Sequence, residues 1–482
     1  MSGSCLKKLI LVTTMSAIST AYAVAGANVA YGKLESYNLA KTYNLQQIRD
    51  TAYSTICAGV ESDSVQCLGN LRNLHNIYGF DINKIEQNKL KINGVNAFNI
   101  SYTTPNYIPD GSFKYQSRNV SGTVFIPSGI GISKIKGIVL IYHPTRYNYN
   151  DYSPDENLIT GASYPAMYAS QGYIVLLADL PGFGIDKNEM HPYIFPEINV
   201  IAGVNMLKAT NQLLSSIGLK SSKELPLILN GFSEGGMLSQ KAAYMIQKNE
   251  ISLKGTNTRL TLSVPMSGAF DISGKQSQLE YANLTAPQNN QFRIHSQYVA
   301  ALVKPALAAY AVNSYNYYTA TQCEDMLRND FCNFSESGTN AKTIAGLFES
   351  GNVMDTMSTQ EFLYKLAQKI SAYKLESNSV AHLMKADLPK EYVDTFNKVT
   401  LLNWKTTSPI EYVHLKQDSL LTPYNSIEAY RTVSAKSGVK LVKEVEIDNT
   451  KYHEGSDVHE IDHNNPIMYG AALSIFNNYV PE

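Results

Sequence analysis

The chain has 482 residues, and its 40 lysines and arginines nearly balance its 41 aspartates and glutamates, which gives a formal net charge of −1. Because there is no basic surplus and no run of like charge, the sequence gives no electrostatic basis for binding nucleic acid or an anionic membrane surface. We therefore expect no nucleic-acid partner. The length allows one large domain or two ordinary ones, with a sizeable core.

The N-terminus has the organisation of a secretory signal peptide. Lys7 and Lys8 precede a short apolar run, and Ala21 and Ala23 have the spacing of a small-residue cleavage site. Hydroxyl residues interrupt the apolar run, which is far shorter than the ~20 residues that a transmembrane helix needs. We predict that residues 1–23 are a cleaved signal and that the mature protein is secreted or periplasmic.

Four cysteines remain once the signal is removed, and they form two local pairs. Cys57 stands close to Cys67, and Cys323 stands close to Cys332. In an oxidising compartment such neighbours close short-loop disulfides, which we favour over the alternative of unpaired buried thiols. Neither pair has the C-x-x-C spacing of a zinc or redox site.

The chain divides into segments with different patterns of apolar and polar residues. Residues 24–94 carry apolar side chains at helical spacing and predict a helical N-terminal segment. From residue 95, β-rich runs separated by turn residues predict the antiparallel start of a sheet. Continuous apolar strands then alternate with helices as far as residue 272, which is typical of a parallel sheet covered on both faces.

This alternation stops at residue 273 and resumes at residue 408. Residues 273–407 are mostly amphipathic helical patterns, and the apolar faces of such helices must cover another part of the protein. The sequence therefore predicts a helical cap inserted into the sheet domain. Residues 408–482 complete the core.

One serine stands in a setting that favours nucleophilic chemistry. Ser233 lies between Gly231 and Gly235, where an apolar strand meets a helix. A sharp strand-to-helix turn strains the backbone of the nucleophile, and side chains two residues away would collide, so glycine is needed on both sides. We interpret Ser233 as a catalytic nucleophile; the alternative is a small polar residue in an ordinary turn.

A serine nucleophile needs a base, and the base needs an orienting acid, in the chain order Ser, Asp or Glu, His on this type of sheet. Asp418 directly follows a late apolar strand, although a solvated loop aspartate is the alternative. After the final strand come His453, His459 and His463. We favour His459, which stands seven residues before Pro466 and thus well ahead of the closing helix.

Two backbone amides are expected to form the oxyanion hole. One belongs to the residue after the nucleophile, Glu234, and the other to Thr145 in the loop after an early strand, since Pro144 has no N–H. His143 is expected to buttress this turn. Asp179 also ends a strand, but it precedes the serine in the chain, so we expect it to be structural.

A zinc site is the competing interpretation of the C-terminal histidines. Residues 459–463 read H-E-I-D-H, the literal H-E-x-x-H pattern, which binds zinc when a helix places both histidines on one face. Asn464, Asn465 and Pro466 follow immediately, and the residue before a proline is disfavoured in a helix. We therefore expect no metal and no cofactor.

Several stretches together resemble the secretory lipase group of the α/β-hydrolases: SGTVFIPSG, IYHPT, ADLPGFG, HPYI, GFSEGG and SPIEYVHLKQDSLLTP. One departure is His143-Pro144, where the group usually has His-Gly. The resemblance implies an α/β-hydrolase fold and a carboxylic ester hydrolase with Ser233, Asp418 and one histidine as its triad.

The expected substrate is a small-molecule ester or lipid, with transient contact between the cap and a lipid surface. The alternatives are a serine peptidase of the same fold and a catalytically silent binding module. The sequence leaves the oligomeric state open.

Overall fold

The computed structural model of the chain describes residues 31–57, 65–78, 81–87, 90–106, 116–146, 163–272, 304–319, 390–416, 423–447 and 467–480, together with Asp418 and Leu421. The predicted signal peptide, the pair Cys323 and Cys332, and the candidate bases His453, His459 and His463 lie outside these residues. Within the described ranges, no helix is both long and apolar enough to span a bilayer.

A single mixed sheet organises these residues. Its nine described strands are β1 (Leu34–Asn44), β2 (Gly94–Asn106), β3 (Gln116–Ser128), β4 (Gly137–Tyr142), β5 (Tyr173–Ala178), β6 (Leu225–Phe232), β7 (Thr258–Met266), β8 (Ile410–Leu415) and β9 (Val442–Ile447). Their order across the sheet is β1-β2-β3-β5-β4-β6-β7-β8-β9. The pairings from β1 through β3 to β5 are antiparallel, and all the others are parallel. The predicted parallel sheet with an antiparallel start is confirmed.

Helices cover both faces of the sheet. The described α-helices are α1 (Leu45–Ile56), α2 (Val65–Tyr78), α3 (Ser163–Ser170), α4 (Pro196–Ser216), α5 (Glu234–Gln247), α6 (Lys304–Thr319), α7 (Lys390–Val399), α8 (Tyr424–Ser437) and α9 (Ile467–Tyr479). Apolar side chains of α4, α5 and α8 join the core on one face, and those of α1, α3 and α9 join the core on the other. This double cover explains why β4 and β5 are apolar and buried along their whole length.

The N-terminal segment differs in part from the expectation. α1 and α2 are helices, as the spacing predicts, but Leu34–Asn44 forms β1 and pairs antiparallel with β2 at the edge of the sheet. Most side chains of β1 are exposed, so its sequence lacks the alternation of apolar and polar residues that identifies a half-buried strand. The segment is therefore part of the sheet as well as a helical cover.

Two parts of the predicted cap, residues 273–407, are described. In α6, the Ser314 hydroxyl donates a hydrogen bond of 3.0 Å to the carbonyl oxygen of His191, in the loop after β5. α6 therefore lies over loops at the carboxyl edge of the parallel strands. The chain that follows α7 extends to the helical layer beside the sheet, where Trp404 is buried in the same core as α5.

One predicted disulfide is confirmed. Cys57, just after α1, is bonded to Cys67 in α2, with a Cα–Cα distance of 4.5 Å. Both side chains are buried. The bond ties together two helices of the N-terminal segment, of which α1 packs on the sheet.

We expect the Cys57–Cys67 bond to stabilise the folded state measurably. Closing a loop of this length, with a sequence separation of 10 residues, stabilises the native state by about 2.5 kcal/mol through the unfolded chain. A variant with both cysteines replaced by alanine should therefore unfold at lower urea concentration than the oxidised wild type. Reductant provides the control, because it should bring the wild type down to the level of the variant. Equal midpoints under oxidising conditions would contradict the prediction.

Candidate active site

Ser233 occupies a sharp turn between β6 and α5. Its backbone has φ 59° and ψ −118°, a conformation that L-residues rarely adopt and that costs on the order of 1–3 kcal/mol. The Ser233 N–H donates to the carbonyl oxygen of Met266 at the end of β7, at 2.9 Å, which fixes the turn to the sheet. This strand-turn-helix geometry is that of a nucleophile elbow.

The neighbouring glycines are required by close backbone contacts. A Cβ atom on Gly231 would overlap the carbonyl oxygen of Gly235, and one on Gly235 would overlap the carbonyl oxygen of Tyr142 in β4. A Cβ on Gly236 would overlap the carbonyl oxygen of Met266. Because all three obstacles are backbone atoms of buried strands or of α5, they have no room to move aside.

Asp418 lies at the same edge of the sheet as Ser233. It follows β8, which is separated from β6 only by β7, so the ends of β6 and β8 are about 10 Å apart at the usual strand spacing. Asp418 is buried, and one of its carboxylate oxygens accepts the Leu421 N–H at 2.8 Å. The loop with the three candidate histidines leaves β9 at this edge, although the histidines themselves are outside the described residues.

The two residues predicted to form the oxyanion hole both flank the elbow. Glu234 is the first residue of α5, where the backbone N–H groups have no partner within the helix. Thr145 follows β4, whose Tyr142 is level with Gly231 of β6 in the parallel register. The Thr145 hydroxyl lies 3.1 Å from the hydroxyl of Tyr193.

The side chain of Glu234 is paired with a buried histidine. His191 Nε2 lies 2.7 Å from Glu234 Oε1, and both side chains are almost completely buried. His191 Nδ1 is 2.7 Å from the carbonyl oxygen of Pro181, so Nδ1 must be the donor there. One proton therefore lies between Nε2 and the Glu234 carboxylate. Nothing in the local sequence predicts this pair, because its members are 43 residues apart.

His143 joins the loops that follow β4 and β5. It is completely buried, with Nδ1 2.7 Å from the carbonyl oxygen of Pro144 and Nε2 2.9 Å from that of Asp179. Burial lowers the pKa of His143 well below its ordinary value, and the charge of the nearby Arg146 acts in the same direction. A neutral imidazole has a single N–H, so His143 donates to only one of these two carbonyl oxygens, while its buried ring packs between the two loops and buttresses the turn, as the sequence predicts.

Asp179 is a buried carboxyl group at the end of β5. It accepts a hydrogen bond from the Ser121 hydroxyl of β3, which ties two strands together. Burial raises the pKa of Asp179 to about 6, while the Ser121 hydrogen bond and the charge of Arg146 oppose this shift. Arg146 is itself a buried cation beside the proposed oxyanion loop, and the sequence patterns gave it no role.

Comparison with known proteins identifies the fold. The chain resembles the rice cell wall degrading esterase LipA from Xanthomonas oryzae with a TM-score of 0.60 over 94% of this chain and 99% of that one, at 14% identity. A protein assigned as a hydrolase from Legionella pneumophila gives a TM-score of 0.59 over 93% and 99% of the two chains, at 16% identity.

The chain has the α/β-hydrolase fold. No protein-family model matches the sequence, and no curated protein sequence matches it either. In an α/β-hydrolase fold the nucleophile occupies the elbow after a central parallel strand, and the oxyanion hole forms from the next residue and from an earlier strand-to-helix loop. In this chain Ser233 follows β6 at such a turn, Glu234 is the next residue, and Thr145 lies in the loop after β4.

Asp179 makes the stability of this α/β-hydrolase fold depend on pH. Its folded-state pKa of about 6 lies above the ordinary value of 3.8, so its favourable contribution is complete below pH 3.8 and is lost as the pH rises through 6. Asp179→Asn cannot ionise and still accepts the Ser121 hydroxyl. Relative to wild type, we expect the variant to gain about 2 kcal/mol in unfolding free energy between pH 4.5 and pH 8.

Urea unfolding at both pH values measures this difference. Asp50→Asn, which removes an exposed carboxylate of α1, serves as the matched control. A stability difference between Asp179→Asn and wild type that stays constant with pH would show that Asp179 does not titrate in this range.

Proposed function

We propose that the chain is an exported serine hydrolase that cleaves carboxylic esters through an acyl-enzyme. The observation that carries the proposal is the strained backbone of Ser233, held by glycine-dependent contacts at the turn between β6 and α5. Backbone strain of this kind persists where the surrounding structure enforces it and is concentrated at functional sites. The fold shared with the esterase LipA supports the same reading.

In the proposed reaction, Ser233 Oγ attacks the ester carbonyl while the histidine takes the hydroxyl proton. The carbonyl oxygen becomes an oxyanion, which accepts hydrogen bonds from the amides of Glu234 and Thr145. The tetrahedral intermediate then breaks its bond to the leaving oxygen, and the histidine returns the proton to the departing alcohol. Water repeats the sequence on the acyl-serine and releases the carboxylic acid.

We propose Asp418 as the acid that orients the imidazole and His459 as the base. The burial of Asp418 at the carboxyl edge supports its assignment, since a buried carboxylate beside the histidine would stabilise the imidazolium that forms during the reaction. His459 is proposed from its place in the chain, between the end of β9 and the start of α9. His463 and His453 remain the alternatives.

The proposed substrate is a small-molecule ester or lipid, and the proposed compartment is the periplasm or the outside of the cell. A LipA structure in a ligand-bound form supports a small-molecule site in this fold. The Cys57–Cys67 disulfide supports export, because such bonds persist in oxidising compartments. We further propose that residues 273–407, including α6, act as a cap that shapes access to Ser233 and touches lipid surfaces.

Ser233→Ala should abolish ester hydrolysis while the protein remains folded. The expected loss in kcat is ~10³-fold or more, because nucleophile and base act as a unit. The measurement is hydrolysis of p-nitrophenyl esters of increasing chain length, beside aminoacyl anilides, together with labelling by a fluorophosphonate. Ser215→Ala, which removes an exposed hydroxyl of α4, is the control. Wild-type activity in Ser233→Ala would show that Ser233 is not the nucleophile. Cleavage of anilides but not esters by the wild type would favour a peptidase.

Replacing each C-terminal histidine separately tests the base. We expect His459→Ala to lose activity by ~10³-fold or more, as for other members of a triad, whereas His463→Ala retains substantial activity. Chelators should leave hydrolysis unchanged. Loss of activity in both variants together with sensitivity to a chelator would instead support the zinc site at residues 459–463.

A further inference from the structure

We propose that the segment His191–Tyr193 positions both residues of the oxyanion hole and that Ser314 of α6 fixes this segment. The inference rests on the proposed function, since it concerns the same site. The two proposed donors come from separate parts of the chain, Thr145 from the loop after β4 and Glu234 from the start of α5. The loop after β5 contacts both of them.

Tyr193 holds the side of the site that contains Thr145. The hydroxyl groups of the two residues lie 3.1 Å apart. The Tyr193 ring stacks on Tyr310 of α6, with ring centroids 4.7 Å apart and an interplanar angle of 26°. Burial, with a further contribution from the negative charge of Glu234, raises the pKa of the Tyr193 hydroxyl, so this hydroxyl keeps its proton at neutral pH. Tyr193 is therefore a fixed hydrogen-bonding partner for the Thr145 side chain.

His191 holds the side of the site that contains Glu234. Its ring is clamped between the carbonyl oxygen of Pro181 and the Glu234 carboxylate, at 2.7 Å from each. His191 can lie here only because residue 182 is glycine, since a Cβ atom at Gly182 would lie 2.5 Å from the backbone nitrogen of His191. This contact holds the side chain of the first residue of α5 in place beside the elbow.

Ser314 joins these two contacts to the cap. Its hydroxyl donates to the carbonyl oxygen of His191 at 3.0 Å and accepts the Tyr193 N–H at 2.9 Å. The Ser314 side chain is completely buried, so no water competes for these bonds. A single hydroxyl from α6 therefore fixes the backbone on both sides of Pro192.

This arrangement matters because oxyanion donors work by preorganisation. A donor must lie within about 0.5 Å of its productive position, and residues that lock its neighbours supply that accuracy. His191, Tyr193 and Ser314 do not need to touch the substrate. They are positioning residues, and they act through Glu234 and Thr145.

A double-mutant cycle on Tyr193 and Thr145 tests the inference. Tyr193→Phe removes one hydroxyl and keeps the ring; we expect kcat to fall about 10-fold, part of the 10²–10³ that losing a whole donor costs, with KM within twofold. A boronic acid, which mimics the tetrahedral intermediate, should lose affinity by the same factor. In a Thr145→Val background, which keeps the backbone amide, Tyr193→Phe should change kcat no further.

Companion variants test the other two contacts. Ser314→Ala should lower kcat to the level of Tyr193→Phe. The double variant Ser314→Ala/Tyr193→Phe should have the same kcat as either single variant. For His191, the amide of His191→Gln can still donate to Glu234 and should retain more of the wild-type kcat than His191→Phe. Tyr173→Phe is the control for hydroxyl loss, since Tyr173 bonds Asn477 at 3.1 Å at the other end of β5.

The outcomes separate this inference from the proposed function. If the wild type hydrolyses no ester and a fluorophosphonate leaves Ser233 unlabelled, the proposed function fails. If the wild type is an active esterase but Tyr193→Phe keeps kcat within twofold, or loses activity only in step with thermal stability as Tyr173→Phe does, the positioning role is refuted. Additive effects of Tyr193→Phe and Thr145→Val would refute it as well.

Discussion

The approach of α5 to the end of β4 is the contact on which the rest of the site depends. Gly235 lies so close to the Tyr142 carbonyl oxygen that no side chain fits between them. This approach forces the turn at Ser233 into its strained conformation and directs the N-terminus of α5 toward the carboxyl edge of the sheet. The same approach brings the loop after β4, with Thr145, beside the elbow. Two glycines and one strained residue thus set the relative positions of the proposed nucleophile and both proposed donors.

A layer of buried polar groups stabilises the loop after β5 and so supports this arrangement. Arg118 of β3 bonds Asp186 through Nε at 3.1 Å, and Asp186 also accepts the Gly182 N–H at 2.8 Å. Burying a charged pair costs desolvation free energy that its mutual attraction only partly offsets, so such a pair is weak evidence for stability as such. The pair instead fixes the position of a loop: Asp186 holds Gly182 through its N–H, and Gly182 lies directly against His191.

The sequence predicts the features that depend on local sterics and periodicity. The elbow at Ser233, the strand preceding Asp418 and the disulfide between Cys57 and Cys67 are all of this kind, since each involves residues close together in the chain. β1 was not predictable in the same way, because an edge strand with exposed side chains has no apolar pattern. The His191–Glu234 pair was also missed, since a contact across 43 residues leaves no signal in a single sequence.

The edge position of β1 has a practical consequence for producing shortened forms of the protein. Composition alone suggests that a chain starting at residue 95 would keep the whole sheet domain. Such a chain would lack β1 and leave β2, a long strand that includes buried Val95 and Ile100, as the new edge. A long strand with unpaired N–H and C=O groups and apolar side chains is a template for intermolecular pairing. In the intact chain the eleven residues of β1 cover that edge of β2, and Glu35 and Lys41 add charges to the strand that forms the edge instead.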